Sequence, residues 1–168
     1  MPVLRWRLIL GPLLIALLLA LCWADAHATR PGIWLVPLGI ALCLLSTREL
    51  LALFRAGSID PQTWSTSVGT LLPVLAACAP IAWLQYPADC PIGRFGWLAC
   101  GLAAGLFVVV SGEMRQYDAQ GQHLAKLAAS AFSILYVGGL LGFLVQLRLL
   151  PVGGDVSRGG MLAMLSMI

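Results

Sequence analysis

Charged side chains are scarce in this sequence of 168 residues. Only 10% of the residues are charged, whereas a soluble domain carries about 25%. The ten basic and seven acidic residues are scattered and give a formal net charge of +3, so no charge run indicates a nucleic-acid partner. Hydrophobic residues make up 60% of the chain and the mean hydropathy is +0.93. This composition excludes an ordinary water-soluble domain and predicts a membrane protein.

Catalytic and metal-binding motifs are missing as well. The chain has no P-loop, no GxSxG and no HExxH. Phosphoryl transfer needs carboxylates for metal ions and cations for phosphates. No two of the seven acidic residues lie within four positions of each other: Asp25, Glu49, Asp60, Asp89, Glu113, Asp118 and Asp155. The five cysteines include no CxxC pair and predict neither a disulfide framework nor a zinc site. We therefore expect no catalytic, cofactor-binding or metal-binding residue in this chain.

Long apolar runs indicate the fold class. Five runs predict membrane-spanning helices, at residues 8–23, 33–45, 68–86, 95–112 and 124–150. A sixth run begins at Met161 and has eight residues to Ile168, whereas a span needs about 20. The expected fold is all-α, a polytopic transmembrane helix bundle of about five full spans plus the start of a sixth. Residues 58–67 form the most loop-like segment, because they are polar and contain Asp60-Pro61.

The run at 124–150 is predicted to organise the bundle. It has 21 uncharged positions between Lys126 and Arg148. At about 100° per residue, two sets of residues gather on opposite sides of this helix: Lys126, Ser130, Ser133 and Tyr136 on one, and Gly138, Gly142 and Gln146 on the other. We therefore expect two different neighbours, one hydrogen-bonded and one in close backbone contact. Gly101 and Gly105 repeat the glycine spacing in the fourth run and are expected to pack against Gly138 and Gly142.

The amino-terminal run has two interpretations. Arg5 and Arg7 precede it, and Ala26-His27-Ala28 fits a signal-peptidase pattern. An uncleaved signal anchor is the favoured interpretation, since the remainder is itself a series of spans. With the amino terminus in the cytoplasm of a cell with an inner membrane, six basic residues lie inside and four outside, which agrees with the positive-inside rule. The six are Arg5, Arg7, Arg48, Arg55, Arg115 and Lys126.

A few ionisable residues adjoin the predicted spans and are candidates for function. Glu49 follows the second run, and for this residue a hydrated membrane edge or a bond to Arg48 is the favoured interpretation. The most polar passage of the chain, at 111–126, contains Glu113, Arg115, Asp118, His123 and Lys126. A metal or acid–base cluster is one hypothesis for this passage. The favoured interpretation is a solvated loop that fixes the ends of two helices.

One stretch carries a family resemblance. SILYVGGLLGFLVQLR at 133–148, followed by a glycine-rich turn and MLAMLS at 161–166, resembles the central part of the bacterial phosphatidate cytidylyltransferases, the CDP-diacylglycerol synthases. Leu4-Arg5-Trp6-Arg7 and Arg48-Glu49-Leu50-Leu51 are similar to the amino-terminal part of that family. The resemblance implies that the whole protein transfers CMP from CTP to phosphatidic acid, with magnesium, and releases pyrophosphate.

The resemblance also implies a place for this chain within the enzyme. Residues 1–168 would be the amino-terminal transmembrane region of a longer integral membrane enzyme, and the catalytic signature would lie in a carboxyl-terminal half beyond Ile168. No family catalytic residue has a counterpart here, and the fragment alone is expected to be inactive. Ser133 and Tyr136 are candidates to face the site, with packing the favoured interpretation for both. Expected partners are membrane lipids, CTP and phosphatidic acid, and no nucleic acid. The glycine faces could associate within one chain or with a second copy of it. The alternative is a non-catalytic polytopic protein, such as a transporter half or an assembly subunit.

Overall fold

The computed structural model describes residues 16, 19–21, 23–25, 27, 34–83, 90–116 and 122–148, and the described part of the chain contains helices and no strand. The elements in order are α1 (Leu35–Ala56), α2 (Thr63–Ala77), the short α3 (Ala79–Ala82), α4 (Gly93–Arg115), α5 (His123–Ser133), a π-helical segment (Ile134–Gly139) and α6 (Leu140–Arg148). The all-α class is confirmed.

Three helical stretches are long and apolar enough to span a membrane: Leu35–Ala56, Phe95–Arg115 and His123–Arg148. The prediction of five full spans is therefore wrong for the described residues. The predicted first span lies largely outside them, and the start of a sixth span lies wholly outside. α1 runs beyond the apolar run at 33–45 to Ala56 and ends at Gly57, as the leucines after Arg48 and the glycine predict.

The predicted span at 68–86 is instead a short helix followed by a break. α2 begins at Thr63 and ends at Ala77, and its 15 residues rise about 22 Å, less than the roughly 30 Å of hydrocarbon. Cys78 separates it from α3, in which Pro80 lies near the start and has no N–H to donate. The buried Gln146 Nε2 donates to the Ala77 carbonyl at 3.4 Å. That bond supplies a donor to a carbonyl at the break in the helix.

The centre of the bundle is α2, not the helix at 124–150 as predicted. α2 contacts α1, α4, α5, the π-helical segment and α6. It runs antiparallel to α1 and α4 and parallel to the long helix of α5, the π-helical segment and α6, as the residue pairs in contact show. Seven of its residues are buried: Ser65, Thr66, Gly69, Thr70, Pro73, Val74 and Ala77. Most of the exposed large apolar side chains belong to its neighbours.

Both glycine pairs pack on α2, not on each other as predicted. A Cβ atom added to Gly105 would lie 2.5 Å from the Gly69 carbonyl oxygen, and one added to Gly101 would lie 2.7 Å from Pro73 Cα. A Cβ atom added to Gly138 would lie 2.7 Å from the Thr70 carbonyl oxygen. Backbones this close exclude any side chain larger than hydrogen. The two glycine motifs therefore bring two different helices against the same central helix.

The π-helical segment explains why the long helix has one buried face, not two. Ser130, Ser133, Gly138, Gly142 and Gln146 are all buried. In a continuous α-helix, Ser130 and Ser133 would lie on the side of the axis opposite to Gly142 and Gln146. A π turn holds one extra residue, which delays the helix by about 100°. This rotation brings Gly142 and Gln146 round to face α2, the helix that Ser130 and Ser133 also face.

Hydroxyl groups hold α2 to its neighbours. Thr47 Oγ1 of α1 lies 3.0 Å from Thr70 Oγ1 and 2.7 Å from the Cys43 carbonyl oxygen. Thr66 Oγ1 lies 2.8 Å from Ser130 Oγ of α5. The buried apolar core is small, with Cys43, Val74 and Val137 at its centre. Small residues and hydrogen-bonded hydroxyls are what packs helices in lipid, where apolar burial drives association only weakly.

Candidate functional site

Polar side chains collect at one end of the bundle. The alternating helix directions bring the carboxyl ends of α1 and α4, at Ala56 and Arg115, beside the amino ends of α2 and α5, at Thr63 and His123. We call this region the polar end. Two adjoining cavities open there, and both are lined in part by Gln62 and Gln116.

The first cavity, of about 280 Å³, is lined mainly by charged and amide groups. Arg55 Nε donates to Asp60 Oδ1 at 2.8 Å, and Arg55 Nη2 donates to Thr63 Oγ1. His123 Nδ1 lies 3.4 Å from Glu113 Oε2. Lys126 also lines this cavity and makes no ion pair with any described residue. One cation therefore remains available to a ligand.

The second cavity, of about 500 Å³, combines apolar and polar walls. Trp64 of α2 and Phe107 of α4 line it and are 76% and 73% exposed. Its polar wall includes Ser65, Ser111 and Arg115. Within the described residues, Arg115 has no carboxylate within 4 Å. This cavity thus leads from the outer apolar surface of the bundle to a second cation.

The amino ends of two helices add positive potential at the polar end. Neither α2 nor α5 has an acidic residue in its first turn or a side-chain hydrogen bond at its N-cap, so no capping side chain offsets the partial positive charge of the first N–H groups. The carboxyl ends of α1 and α4 carry the opposite partial charge, and Arg55 and Arg115 stand in their last turns. The cation without such a local role is Lys126.

The structure places the residues of the polar passage 111–126 on helices. Glu113 and Arg115 belong to α4, and His123 and Lys126 belong to α5, so the predicted solvated loop is wrong for these four. Glu113 is buried and contacts His123, and Asp118 lies outside the described residues. Across the described ranges, no group of three or more His, Cys, Asp or Glu residues stands close enough to hold a metal ion. The arrangement is suited to binding an anion.

The remaining candidates lie away from these cavities. Glu49 is exposed on α1 and forms no ion pair with a described residue. Tyr136 is 54% exposed and stacks on Phe132 with ring centroids 5.4 Å apart, whereas Ser133 is buried and donates to the Ala129 carbonyl. Tyr136 and Ser133 therefore face in different directions. Sequence reasoning did not identify Arg55 or Gln62 as site residues. They line the same cavity because α1 and α2 pack antiparallel to each other.

A buried ion pair lies at the opposite end of the bundle. Arg148 Nη2 and Nε donate to Asp25 Oδ2 at 2.9 and 3.1 Å, and the two side chains are 3% and 0% exposed. The Trp34 backbone N–H donates to Asp25 Oδ1 at 3.4 Å. Sequence reasoning missed this pair, although each residue ends an apolar run that leads to the same side of the membrane. Asp25 precedes the predicted cleavage position after Ala28, so cleavage there would remove this pair.

Comparisons with protein-family models, with curated proteins and with solved structures find no match for this chain. The family resemblance therefore depends on the residues quoted above. The geometry adds a membrane helix bundle, a polar end with two cavities, and a buried ion pair that ties an amino-terminal segment to α6.

Proposed function

We propose that this chain is the membrane-embedded scaffold of a phosphatidate cytidylyltransferase, which transfers CMP from CTP to phosphatidic acid and yields CDP-diacylglycerol and pyrophosphate. The observation that carries the proposal is the specialised structure of the stretch with the strongest resemblance, 133–148. It contains the π-helical segment and the buried Gly138, Gly142, Gln146 and Arg148. These residues serve particular contacts, which a generic apolar span would not need.

In this proposal the described helices hold the reaction at the membrane but do not perform it. Phosphatidic acid resides in the bilayer, so the enzyme must present its site at the lipid surface. Mg²⁺ needs several oxygen ligands, whereas the two carboxylates that line the first cavity, Asp60 and Glu113, are already engaged by Arg55 and His123. The described residues therefore do not fit a magnesium site, and we assign them no step of the nucleotidyl transfer.

The proposal includes an orientation in a cell inner membrane. Three basic residues, Arg55, Arg115 and Lys126, line the polar end, whereas two, Arg94 and Arg148, belong to helix termini at the other end. Excess Lys and Arg favours the cytoplasmic side. The polar end would then face the compartment that contains CTP, with the amino terminus on the same side.

A second candidate is a non-catalytic polytopic protein, such as a transporter half. The break at Cys78 between α2 and α3 favours it, since transporters use discontinuous helices near their substrates. Here, however, Gln146 donates to the Ala77 carbonyl beside the break. A carbonyl already engaged within the bundle is a weaker candidate for binding cargo.

The test is incorporation of labelled CTP into lipid by membranes that contain the full-length gene product and added phosphatidic acid. Membranes that contain residues 1–168 alone serve as the comparison. We expect CTP-dependent labelling in the first and none in the second. Labelling of lipid by residues 1–168 alone would contradict the scaffold role. No labelling in either membrane preparation would favour the non-catalytic alternative.

A further inference from the structure

We propose that the two cavities at the polar end form one binding site for an anionic phospholipid, with its phosphate among Lys126, Arg115 and Gln62 and its acyl chain along Trp64 and Phe107. The inference does not depend on the transferase proposal, because it is drawn from the cavities and from the groups that line them.

The charge balance favours an anionic ligand. Arg55, Arg115 and Lys126 line the cavities together with two carboxylates, Asp60 and Glu113. Both carboxylates are engaged, Asp60 with Arg55 at 2.8 Å and Glu113 with His123 at 3.4 Å. The net charge is therefore positive, and the amino ends of α2 and α5 add to it. A phosphate diester would offset this excess.

Gln62 provides the second argument for a ligand. Its Oε1 atom is buried and has no hydrogen-bond partner among the described residues, and a buried acceptor without a partner is destabilising. Gln62 lines both cavities, so a ligand at their junction would reach it. A rotation of the side chain from Gly112 toward the junction would let Oε1 accept from a headgroup hydroxyl or the amide N–H donate to a phosphate oxygen. In either case the ligand would give the amide a partner that Oε1 lacks among the described residues.

The apolar wall distinguishes a lipid from a soluble anion. Trp64 and Phe107 remain about three-quarters exposed beside the larger cavity. Phe107 and Arg115 are eight residues apart on α4, which is about 12 Å along a helix. A free phosphate or a nucleotide would leave this apolar wall uncovered. A phospholipid places its charged group and its hydrocarbon at such a separation, and Trp is enriched at the membrane interface where both meet.

The test is native mass spectrometry of the full-length protein released from neutral detergent micelles. Phosphatidylglycerol, phosphatidic acid and phosphatidylcholine with the same acyl chains are added in separate samples, and inorganic phosphate is added as a soluble competitor. We expect both anionic lipids to be retained in preference to phosphatidylcholine. Lys126→Ala and Arg115→Ala should each lower the retention about fivefold, the scale of one Lys or Arg near an anionic lipid surface.

Two further variants make the result specific to this site. Gln62→Glu keeps the size of the side chain and adds a negative charge at the junction, so it should abolish the preference for anionic lipid. Arg48→Ala removes an exposed cation of α1 that lines neither cavity and should leave retention unchanged. Equal retention of phosphatidylcholine, an effect of Arg48→Ala as large as that of Lys126→Ala, or displacement of lipid by inorganic phosphate would each overturn the proposal.

Discussion

Breaking the buried ion pair should cost far more stability than breaking an exposed pair of the same chemistry. Asp25→Ala would leave the guanidinium of Arg148, which is 3% exposed, without the carboxylate that it contacts at 2.9 Å. Removing one partner of a buried pair costs about 3–5 kcal/mol of unfolding free energy. Asp60→Ala is the matched control, because Arg55 and Asp60 lie 2.8 Å apart but are 48% and 73% exposed. Exposed pairs contribute about 0.2–1 kcal/mol.

Two more variants separate charge from packing. Asp25→Asn keeps an oxygen acceptor and removes the charge. Its loss of unfolding free energy should therefore fall between the losses caused by Asp25→Ala and by Asp60→Ala. Asp25→Ala combined with Arg148→Met removes both charges and should recover most of the stability, since apolar replacement of a buried pair is often neutral.

The measurement is unfolding of the full-length protein by sodium dodecyl sulfate in mixed micelles, followed by circular dichroism. An Asp25→Ala loss no greater than the Asp60→Ala loss would refute the reasoning. It would mean that Arg148, freed of its partner, extends to water at the membrane edge.

Two other variants test the packing of the central helix. Gly105→Ala should lower the thermal unfolding temperature in detergent, because its Cβ would lie 2.5 Å from the Gly69 carbonyl oxygen, and the overpacking should cost about 1–3 kcal/mol of unfolding free energy. Gly39→Ala is the control and should be neutral or stabilising, since a Cβ there has nothing within 4 Å. Equal effects of the two variants would contradict the close approach of Gly105 to α2. Deleting Gly139 should convert the π turn to an α turn and rotate α6 by about 100°. The rotation would carry Gln146 away from the Ala77 carbonyl that its Nε2 contacts at 3.4 Å and should lower the thermal unfolding temperature. An unchanged unfolding temperature would show that the π turn does not set the register.

The apolar runs predicted the three membrane-length helices well, because length and hydropathy decide whether a helix can span. They could not predict α2 correctly. Its buried face uses Ser65, Thr66 and Thr70, and a run of hydroxyl residues near Asp60-Pro61 has the composition of a loop. Each of these hydroxyls bonds to a carbonyl of its own turn, but the further partners of Thr66 and Thr70, Ser130 and Thr47, are distant in sequence. Only the packed bundle shows these interhelical bonds.

The polar end was predicted only in part. The passage at 111–126 indicated Glu113, His123 and Lys126 as neighbours, since they flank one connection between two helices. Arg55 and Gln62 join them through the antiparallel packing of α1 and α2, which no local pattern records. The pair of Asp25 and Arg148 spans 123 positions and is likewise invisible to periodicity. The π-helical segment made the predicted assignment of two opposite faces to the helix at 124–150 wrong, because a constant angle of about 100° per residue does not allow for the extra residue of a π turn.

The position of α2 has a consequence for how the protein enters the membrane. α2 is too short for a membrane span and contains buried hydroxyls whose partners belong to other helices. A segment of that kind gains less by partitioning into lipid alone, because its hydroxyls could then bond only to carbonyls of their own turn and would lack the interhelical partners that hold the bundle together. Its partner Thr47 precedes it in the chain, but Ser130 follows it and is synthesised later. Stable burial of α2 therefore has to await completion of α5, which makes membrane integration of this bundle a concerted process.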